Sequence, residues 1–443
     1  MAKIKPFKGI YYNPEKIYDL KDVTAPPYDV ISPNEQQNYY KLHPQNIIRL
    51  ILGRTSNLDT SQNNRYTRAA VTFEKWLAES ILIQDRSPAL YLTSVEFILE
   101  NKKIERFGLI ALVGLEPFEK GIVLPHEKTF SRVKSERLEL IKRCQANFSS
   151  IFSLYSDRSS NILNALKDAA CSKTADMNFV DDKGQRHQLW RITDKAAQRN
   201  FCKDMEAQNL FIADGHHRYE TALNYRNWVA SNNPDFDENH PANYVMMYLC
   251  SMEDPGLIIL PAHRILRSVQ DSKLDGFIEK AQKYFNITTI PISVNNKEKT
   301  KMEFISSLKA NASTNSIGVF MANRQAYYLL VLKPNIMSQL FGHELSNSLQ
   351  SLDVIVLTRL IFIEILGFDQ ASLDNEKLIS YSSVANQALA AVETDENDIA
   401  FILNSTKIEQ VRKIAEEGLI MPRKSTYFFP KVITGQVINN LRT

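Results

Sequence analysis

The residues best suited to chemistry fall in one short stretch, Asn209-Leu-Phe-Ile-Ala-Asp-Gly-His-His-Arg-Tyr-Glu220. An apolar run there meets two histidines, an arginine and two carboxylates around a glycine. The pattern predicts a strand over 210–213, a turn at Gly215, and an amphipathic helix over 217–229 with Tyr219, Ala222, Leu223 and Val229 toward a core. The first N–H groups of such a helix have no carbonyl partner within it, and the helix dipole is positive at that end. A phosphate suits the position. Gly215 would let the backbone come close, and His217 and Arg218 would add charge and donors. Asp214 is then expected either to cap the helix or to hold a magnesium ion at the phosphates. A purely structural reading uses the same residues as a cap, hydrogen-bonding histidines and a turn glycine.

Three further groups of residues carry reactive or anion-binding types. Pro125-His126-Glu127-Lys128-Thr129 sets an imidazole, a carboxylate and an ammonium in succession, followed by Arg132, Lys134 and Arg137. His126 or Glu127 could act as acid or base, and Lys128 could steady a transferred phosphoryl group. A loop that caps the next helix through Thr129 or Ser131 is the bland alternative. Pro26-Pro27-Tyr28-Asp29 stiffens the backbone and presents a ring and a carboxylate, as either a binding wall or a simple turn. Met421-Pro-Arg-Lys-Ser-Thr-Tyr-Phe-Phe-Pro-Lys431 combines cations, hydroxyls and aromatics between prolines, so Lys424 and Lys431 are expected to bring phosphate contacts back to the Gly215 turn and close its cleft. His263-Arg264 is a weaker version of the same kind.

The elements that must position these groups alternate between helix and strand. A helix is expected over 66–80, an antiparallel hairpin over 89–117 about the polar turn Glu100-Asn-Lys-Lys, and a helix over 131–146. Helix 162–170, strand 188–192 and helix 194–206 follow, then strands 244–251 and 256–260. Beyond residue 269, helices are expected at 274–284, 299–310 and 408–417 and paired strands at 316–321 and 326–332. The fold class is therefore mixed α/β (α+β), with provisional segments 1–120, 121–268 and 269–443.

The 443 residues include 53 Lys and Arg against 50 Asp and Glu, with 44% hydrophobic residues. These proportions exclude whole-chain disorder, and the small net charge argues against a nucleic-acid-coating role. Cys144, Cys171, Cys202 and Cys250 form no C-x-x-C pair, which argues against a zinc knuckle or redox couple. The start of the chain lacks the apolar core of an export signal, so a cytoplasmic location is expected. The apolar run 352–368 contains Asp353, Arg359 and Glu364 and reads as a core helix, not a membrane span.

The Asp-Gly-His-His-Arg turn resembles the phosphate-binding signature of the ParB/sulfiredoxin superfamily, in which a strand, a G-x-x-R turn and a helix hold nucleotide phosphates. Sulfiredoxin has Gly-Cys-His-Arg there, and ADP- or ATP-dependent free-serine kinases of that fold have a D-G-H-x-R type turn. The resemblance covers about forty residues, Leu189 to Trp228. It implies a ParB/sulfiredoxin-like central module with phosphate on Gly215, His217 and Arg218. His216 stands where sulfiredoxin keeps its nucleophilic cysteine, which excludes sulfinic-acid repair. Nearly the whole chain also resembles a bacterial family known as domain of unknown function 1015. The blocks that carry this are Ala25-Pro-Pro-Tyr-Asp-Val-Ile-Ser32, Pro125-His-Glu-Lys-Thr129, Glu136-Arg-Leu138, Asp214 to Thr221, Asp254-Pro-Gly-Leu257, His263-Arg264 and Met421 to Lys431. Departures are small: Ile151 follows Ser150 where the family commonly has Pro-Ile, and Arg423 interrupts the Met-Pro-x-Lys block.

The leading expectation is a nucleotide-binding phosphotransferase acting on a small hydroxyl-bearing metabolite such as serine. ATP or ADP would rest on Gly215, His217 and Arg218, Mg2+ on Asp214, and Glu127 or His216 would take the acceptor's proton. One alternative is a metal-dependent phosphoesterase or nuclease using His126, Glu127, Asp214, His216 and His217 as ligands. Another is a nucleotide- or DNA-sensing regulator without turnover.

Overall fold

The computed structural model describes residues 1–127, 131–292, 294–322, 324–394, 396–422 and 424–442. Lys128, Thr129 and Arg423, singled out above, lie outside the described residues. The chain forms two compact units. The first holds Met1–Pro125, Thr129–Ile258 and Pro430–Thr443, and the second His126–Lys128 and Ile259–Phe429.

A nine-stranded sheet organises the first unit. Its strands are β1 (Ile4–Lys5), β2 (Leu90–Leu99), β3 (Lys102–Gly114), β4 (Val123–Leu124), β5 (Ile151–Tyr155), β6 (Met177–Val180), β7 (Arg186–Ile192), β8 (Leu210–Asp214) and β9 (Tyr244–Ser251). They lie in the order β4-β8-β5-β9-β3-β2-β7-β6, with β1 on β3. β8 runs parallel to β4, and β9 parallel to β5; the other neighbours are antiparallel. The expected hairpin is β2 and β3, but its turn is only Glu100 and Asn101, at φ 48° and 61°. Two left-handed residues make a turn whose twist matches the strands, so Lys102 and Lys103 pair with Leu99 and Ile98.

Helices of the same unit are α1 (Pro33–Leu42), α2 (Arg65–Ala78), α3 (Ser131–Cys144), α4 (Asn161–Ala170), α5 (Lys195–Glu206) and α6 (His216–Asn232). Asn64 caps α2 by accepting from the Tyr66 and Thr67 amides, and Ser32 caps α1 in a reciprocal arrangement with Glu35. α3 packs against both α2 and α6. One apolar core lies on the sheet, around Leu92, Leu109, Met205, Ile212 and Tyr219. Another joins the first fifty residues to α2 around Ile48, Phe73, Trp76 and Phe148. Segments 1–120 and 121–268 both supply strands to this sheet, because β9 pairs with β3 on one side and β5 on the other.

The second unit has a wholly antiparallel six-stranded sheet. Its strands are β10 (His263–Leu266), β11 (Phe285–Pro291), β12 (Ser316–Met321), β13 (Ala326–Leu332), β14 (Ile379–Ser382) and β15 (Ile399–Leu403), in the order β11-β13-β12-β15-β10-β14. α7 (Lys297–Ala310) and α8 (Ala385–Glu393) cover it, with Phe304 stacked on Tyr327 at 4.7 Å. The helix expected over 274–284 is divided into Asp271–Leu274 and Phe277–Ala281, because Gly276 takes φ 68° between them. The apolar run is helical and buried, wound as a π-helix over Val356–Ile365. Among the described residues no helix is long and apolar enough to cross a membrane.

Candidate functional site

β8 is buried along its apolar length, and its pairing with β5 slips between Ile212 and Asp214. A bulge of this kind re-aims the side chain that follows it. Asp214 ends the strand, Gly215 turns the chain at φ 97° and ψ 29°, and the 17-residue α6 begins at His216. Only glycine adopts that backbone freely. The space is also needed, since a Cβ at residue 215 would lie 2.8 Å from Arg218 Nε and 2.9 Å from its Cζ. The Tyr219 hydroxyl donates to the Glu116 carbonyl at 2.7 Å and accepts from the Glu116 amide at 3.0 Å, fixing the first turn of α6 to the sheet.

Gly215 therefore occupies the cap position, and no side chain caps α6. This corrects the expectation of Asp214 as cap. Its carboxylate is turned instead toward two cations: Oδ2 accepts from Arg218 Nη2 at 2.6 Å and Oδ1 from Lys431 Nζ at 2.5 Å. Arg218 Nη1 donates to the Ser150 carbonyl. Burial by itself would raise the Asp214 pKa, but Lys431 and then Arg218 outweigh it, with His216 adding to them. The carboxyl is held well below its usual range. Asp214 thus holds an arginine and a lysine together at the positive end of a long helix.

The same unit places Tyr28 and Arg137 nearby. The Arg137 guanidinium sits 4.0 Å from the Tyr28 ring centroid, and its Nη1 donates to the Ile51 carbonyl at 2.7 Å. Burial, then Asp29, pushes the Tyr28 hydroxyl up to about 12, while Arg137 and Arg218 pull against it. Tyr28, Arg137, Ser149, Arg218 and Thr221 line a cavity of about 70 Å³. A wider cleft of about 690 Å³ lies elsewhere in this unit, beside Arg191. Its Arg191 is paired with Asp85 at 2.8 Å and Asp176 at 2.7 Å.

Of the expected site residues, Asp214, Gly215, His216, His217, Arg218 and Lys431 share the first unit, His216 being buried and His217 half-buried. His126, Glu127 and Lys424 belong to the second. There His126 is fully buried with Nε2 3.1 Å from Thr426 Oγ1, and Glu127 Oε1 accepts from the Ser425 amide at 3.4 Å. The Lys424 carbonyl accepts from the buried Arg264 at 2.8 Å. His263 Nδ1 accepts from the Leu403 amide, and burial lowers its pKa to about 4, so it is a neutral strand anchor.

Magnesium does not fit Asp214 in this arrangement, because each carboxylate oxygen is already bonded to a cation. Among the described residues no group of three or more His, Cys, Asp or Glu side chains could hold a metal ion. The ligand set imagined for a metal-dependent phosphoesterase is thus not gathered there. Missed at the level of sequence were Arg106 and Thr221. Arg106 is fully buried, donates to the Pro430 carbonyl at 2.7 Å, and so fixes the residue before Lys431. Nothing in its local sequence, Glu105-Arg-Phe107, distinguishes it from an exposed strand arginine.

Fold and site together define a mixed α/β protein with a cation-loaded strand-glycine-helix turn. The chain belongs to the family described as Protein of unknown function (DUF1015), whose model matches residues 4–355. No curated protein matches it significantly. Among solved structures, it is similar to a conserved hypothetical protein from Pyrococcus furiosus, at 12% identity over 75% of this chain and 95% of that one, with a TM-score of 0.34. A free serine kinase in complex with AMP matches at 11% identity over 72% and 86%, with a TM-score of 0.33. SbnI from Staphylococcus aureus, truncated at its C-terminus, matches at 9% identity over 74% and 86%, with a TM-score of 0.34. Likenesses this distant carry no inference about the site.

Proposed function

We propose that the first unit binds a nucleotide by its phosphates at the Gly215 turn and transfers a phosphoryl group to the hydroxyl of a small polar metabolite, serine being the simplest acceptor. The observation that carries this reading is the convergence of Arg218 and Lys431 on the single carboxylate of Asp214, at the N-terminus of α6. Phosphate oxygens would replace part of the Asp214 contact on both cations, while the helix amides after Gly215 donate to the same group. Asp214 stays ionised and keeps Arg218 and Lys431 aimed at the turn when no phosphate is present. ATP and ADP both present the required phosphate chain. Phosphoryl transfer depends mainly on positioning and charge neutralisation, which is what two fixed cations and a helix end supply. His216 is the candidate base that lies in the turn itself, and magnesium, if it takes part, would have to come with the nucleotide.

The test is a thermal-shift panel of AMP, ADP and ATP, each with and without magnesium, followed by mass-spectrometric detection of phosphoserine after incubation with serine. Stabilisation by ADP or ATP with phosphorylated product supports the reading in full. Stabilisation without product for any small hydroxyl compound would leave a nucleotide sensor. No shift with any nucleotide would remove the proposal.

A further inference from the structure

The cleft of about 690 Å³ beside Arg191 is large enough for a metabolite, since small-molecule sites commonly span about 300–1,000 Å³. Its floor is a fixed polar network. Asp85, with its side chain only 8% exposed, accepts from the Tyr91 hydroxyl at 2.6 Å and from Arg191 Nη1 at 2.8 Å. Arg191 Nη1 also donates to the Tyr11 hydroxyl at 3.1 Å, while Nε and Nη2 donate to Asp176 Oδ1 at 3.0 and 2.7 Å. These bonds engage all but one of the guanidinium N–H groups. The side chain is thereby locked, yet it lines the cleft and stays 34% exposed. The rest of the lining is uncommitted. Arg86, in the bend leading into β2, and Lys173, between α4 and β6, are exposed and have no ion-pair partner among the described residues. The hydroxyls of Ser87, Thr174 and Thr193 line the same cleft and make no hydrogen bond to the protein among those residues. Apart from Ile83, Ala170 and the Trp190 indole, every lining side chain is polar or charged. Such walls disfavour an apolar body and suit one carrying hydroxyls, which donate and accept at once.

We propose that this cleft binds a phosphorylated sugar or polyol, with its phosphate on Arg86 and Lys173 and its hydroxyls on Ser87, Thr174, Thr193 and the remaining N–H of Arg191. The two unpaired cations supply charge-assisted donors for the phosphate. Asp176, its side chain 30% exposed, offers an acceptor to a sugar hydroxyl. Because the network fixes Arg191 before the ligand arrives, little ordering of that side chain opposes binding. The cleft shares no lining residue with the cavity at Arg218, so the proposal does not rest on nucleotide binding at the Gly215 turn.

Calorimetric titration of the full chain with glucose 6-phosphate, ribose 5-phosphate and glycerol 3-phosphate tests it, with inorganic phosphate and glucose as the separate halves. Saturable binding of at least one ester is expected, at least tenfold tighter than either half, since each half forgoes the other's contacts. Replacing both Arg86→Ala and Lys173→Ala removes two exposed, unpaired cations, so the melting temperature should hardly move. Ester affinity should nevertheless fall at least tenfold. Replacing both Ser87→Ala and Thr174→Val should weaken the ester and leave inorganic phosphate unaffected. Saturating ADP should not displace the ester, because ADP is assigned to the turn. Each of four results would overturn the proposal: no saturable binding of any ester to wild type, esters bound no tighter than inorganic phosphate, unchanged ester affinity in either double variant, or displacement of the ester by ADP.

Discussion

Asp214 shows how far residue chemistry alone could be read and where it misled. Its type and its place before a glycine suggested a cap or a magnesium ligand, and both depend on a free carboxylate edge. The bulge at the end of β8 and the arrival of Lys431 turn it into the hub of an ion-pair cluster instead. Breaking a buried pair leaves charge uncompensated, so Asp214→Asn should lower the unfolding free energy by about 3 kcal/mol near neutral pH in anion-free buffer, measured by urea denaturation. A residue that merely capped would lose little, because Asn caps as well as Asp. The sign of the pH dependence follows from the depressed pKa of Asp214: its stabilisation is present above the ordinary carboxylate value and fades as pH falls toward the folded one. The gap between wild type and Asp214→Asn should therefore narrow in acid. Gly215 and Arg218 were legible because a helix N-terminus preceded by glycine is a local pattern. Arg137 and Thr221 come to line one cavity only through the packing of α3 on α6, which no local spacing encodes.

Continuous apolar, β-prone runs were recovered as β2, β3 and β9, and α6 was recovered from its strand-glycine start, with small shifts at its ends. What escaped were pieces whose pattern is short or ambiguous, such as β14, β15 and α8, the last being alanine-rich and bounded by no distinctive cap. The start of the buried helical run 353–365 carries its own titratable group. Asp353 lies in a low-dielectric setting, accepting from Asn315 Nδ2 at 2.9 Å, and burial raises its pKa to about 6 despite that bond. An acid with a raised folded pKa favours the folded state at low pH. That stabilisation is complete below the unfolded value near 4 and is lost as pH climbs through about 6. Asp353→Asn removes the titration. Relative to wild type, its stability should improve by about 2 kcal/mol between pH 4 and pH 7, measured as the difference in denaturant midpoints at the two pH values. A constant difference across that range would mean the carboxyl stays ionised in the folded protein.

For the whole molecule, the telling feature is the return of the chain end to the first unit. Ala25 and Thr434 exchange backbone bonds at 3.2 and 2.8 Å, Ile10 and Ile438 at 2.9 and 2.8 Å, and the Leu441 amide reaches the Gln145 carbonyl at 2.8 Å. Arg106 holds Pro430, and Lys431 then meets a carboxylate 217 positions earlier in the chain. The proline-bounded, cation-rich composition of 421–431 hinted at a phosphate-directed tail, yet it grouped Lys424 with Lys431, and only Lys431 belongs to the unit that holds Asp214. Composition identifies a segment; it does not say at which residue that segment passes from one unit to another. Lys431→Met keeps the aliphatic stem and removes the charge, so nucleotide affinity should fall about tenfold while the backbone bridges from Thr434 onward persist, as read by circular dichroism. The proposed function rests on Arg218 and the Gly215 turn receiving phosphate. Isothermal titration of ADP into wild type and Arg218→Ala addresses it most directly. Saturable binding to wild type and at least tenfold weaker binding to a folded Arg218→Ala protein is the expected result. Equal affinity in the two proteins, or no binding to wild type, would contradict it.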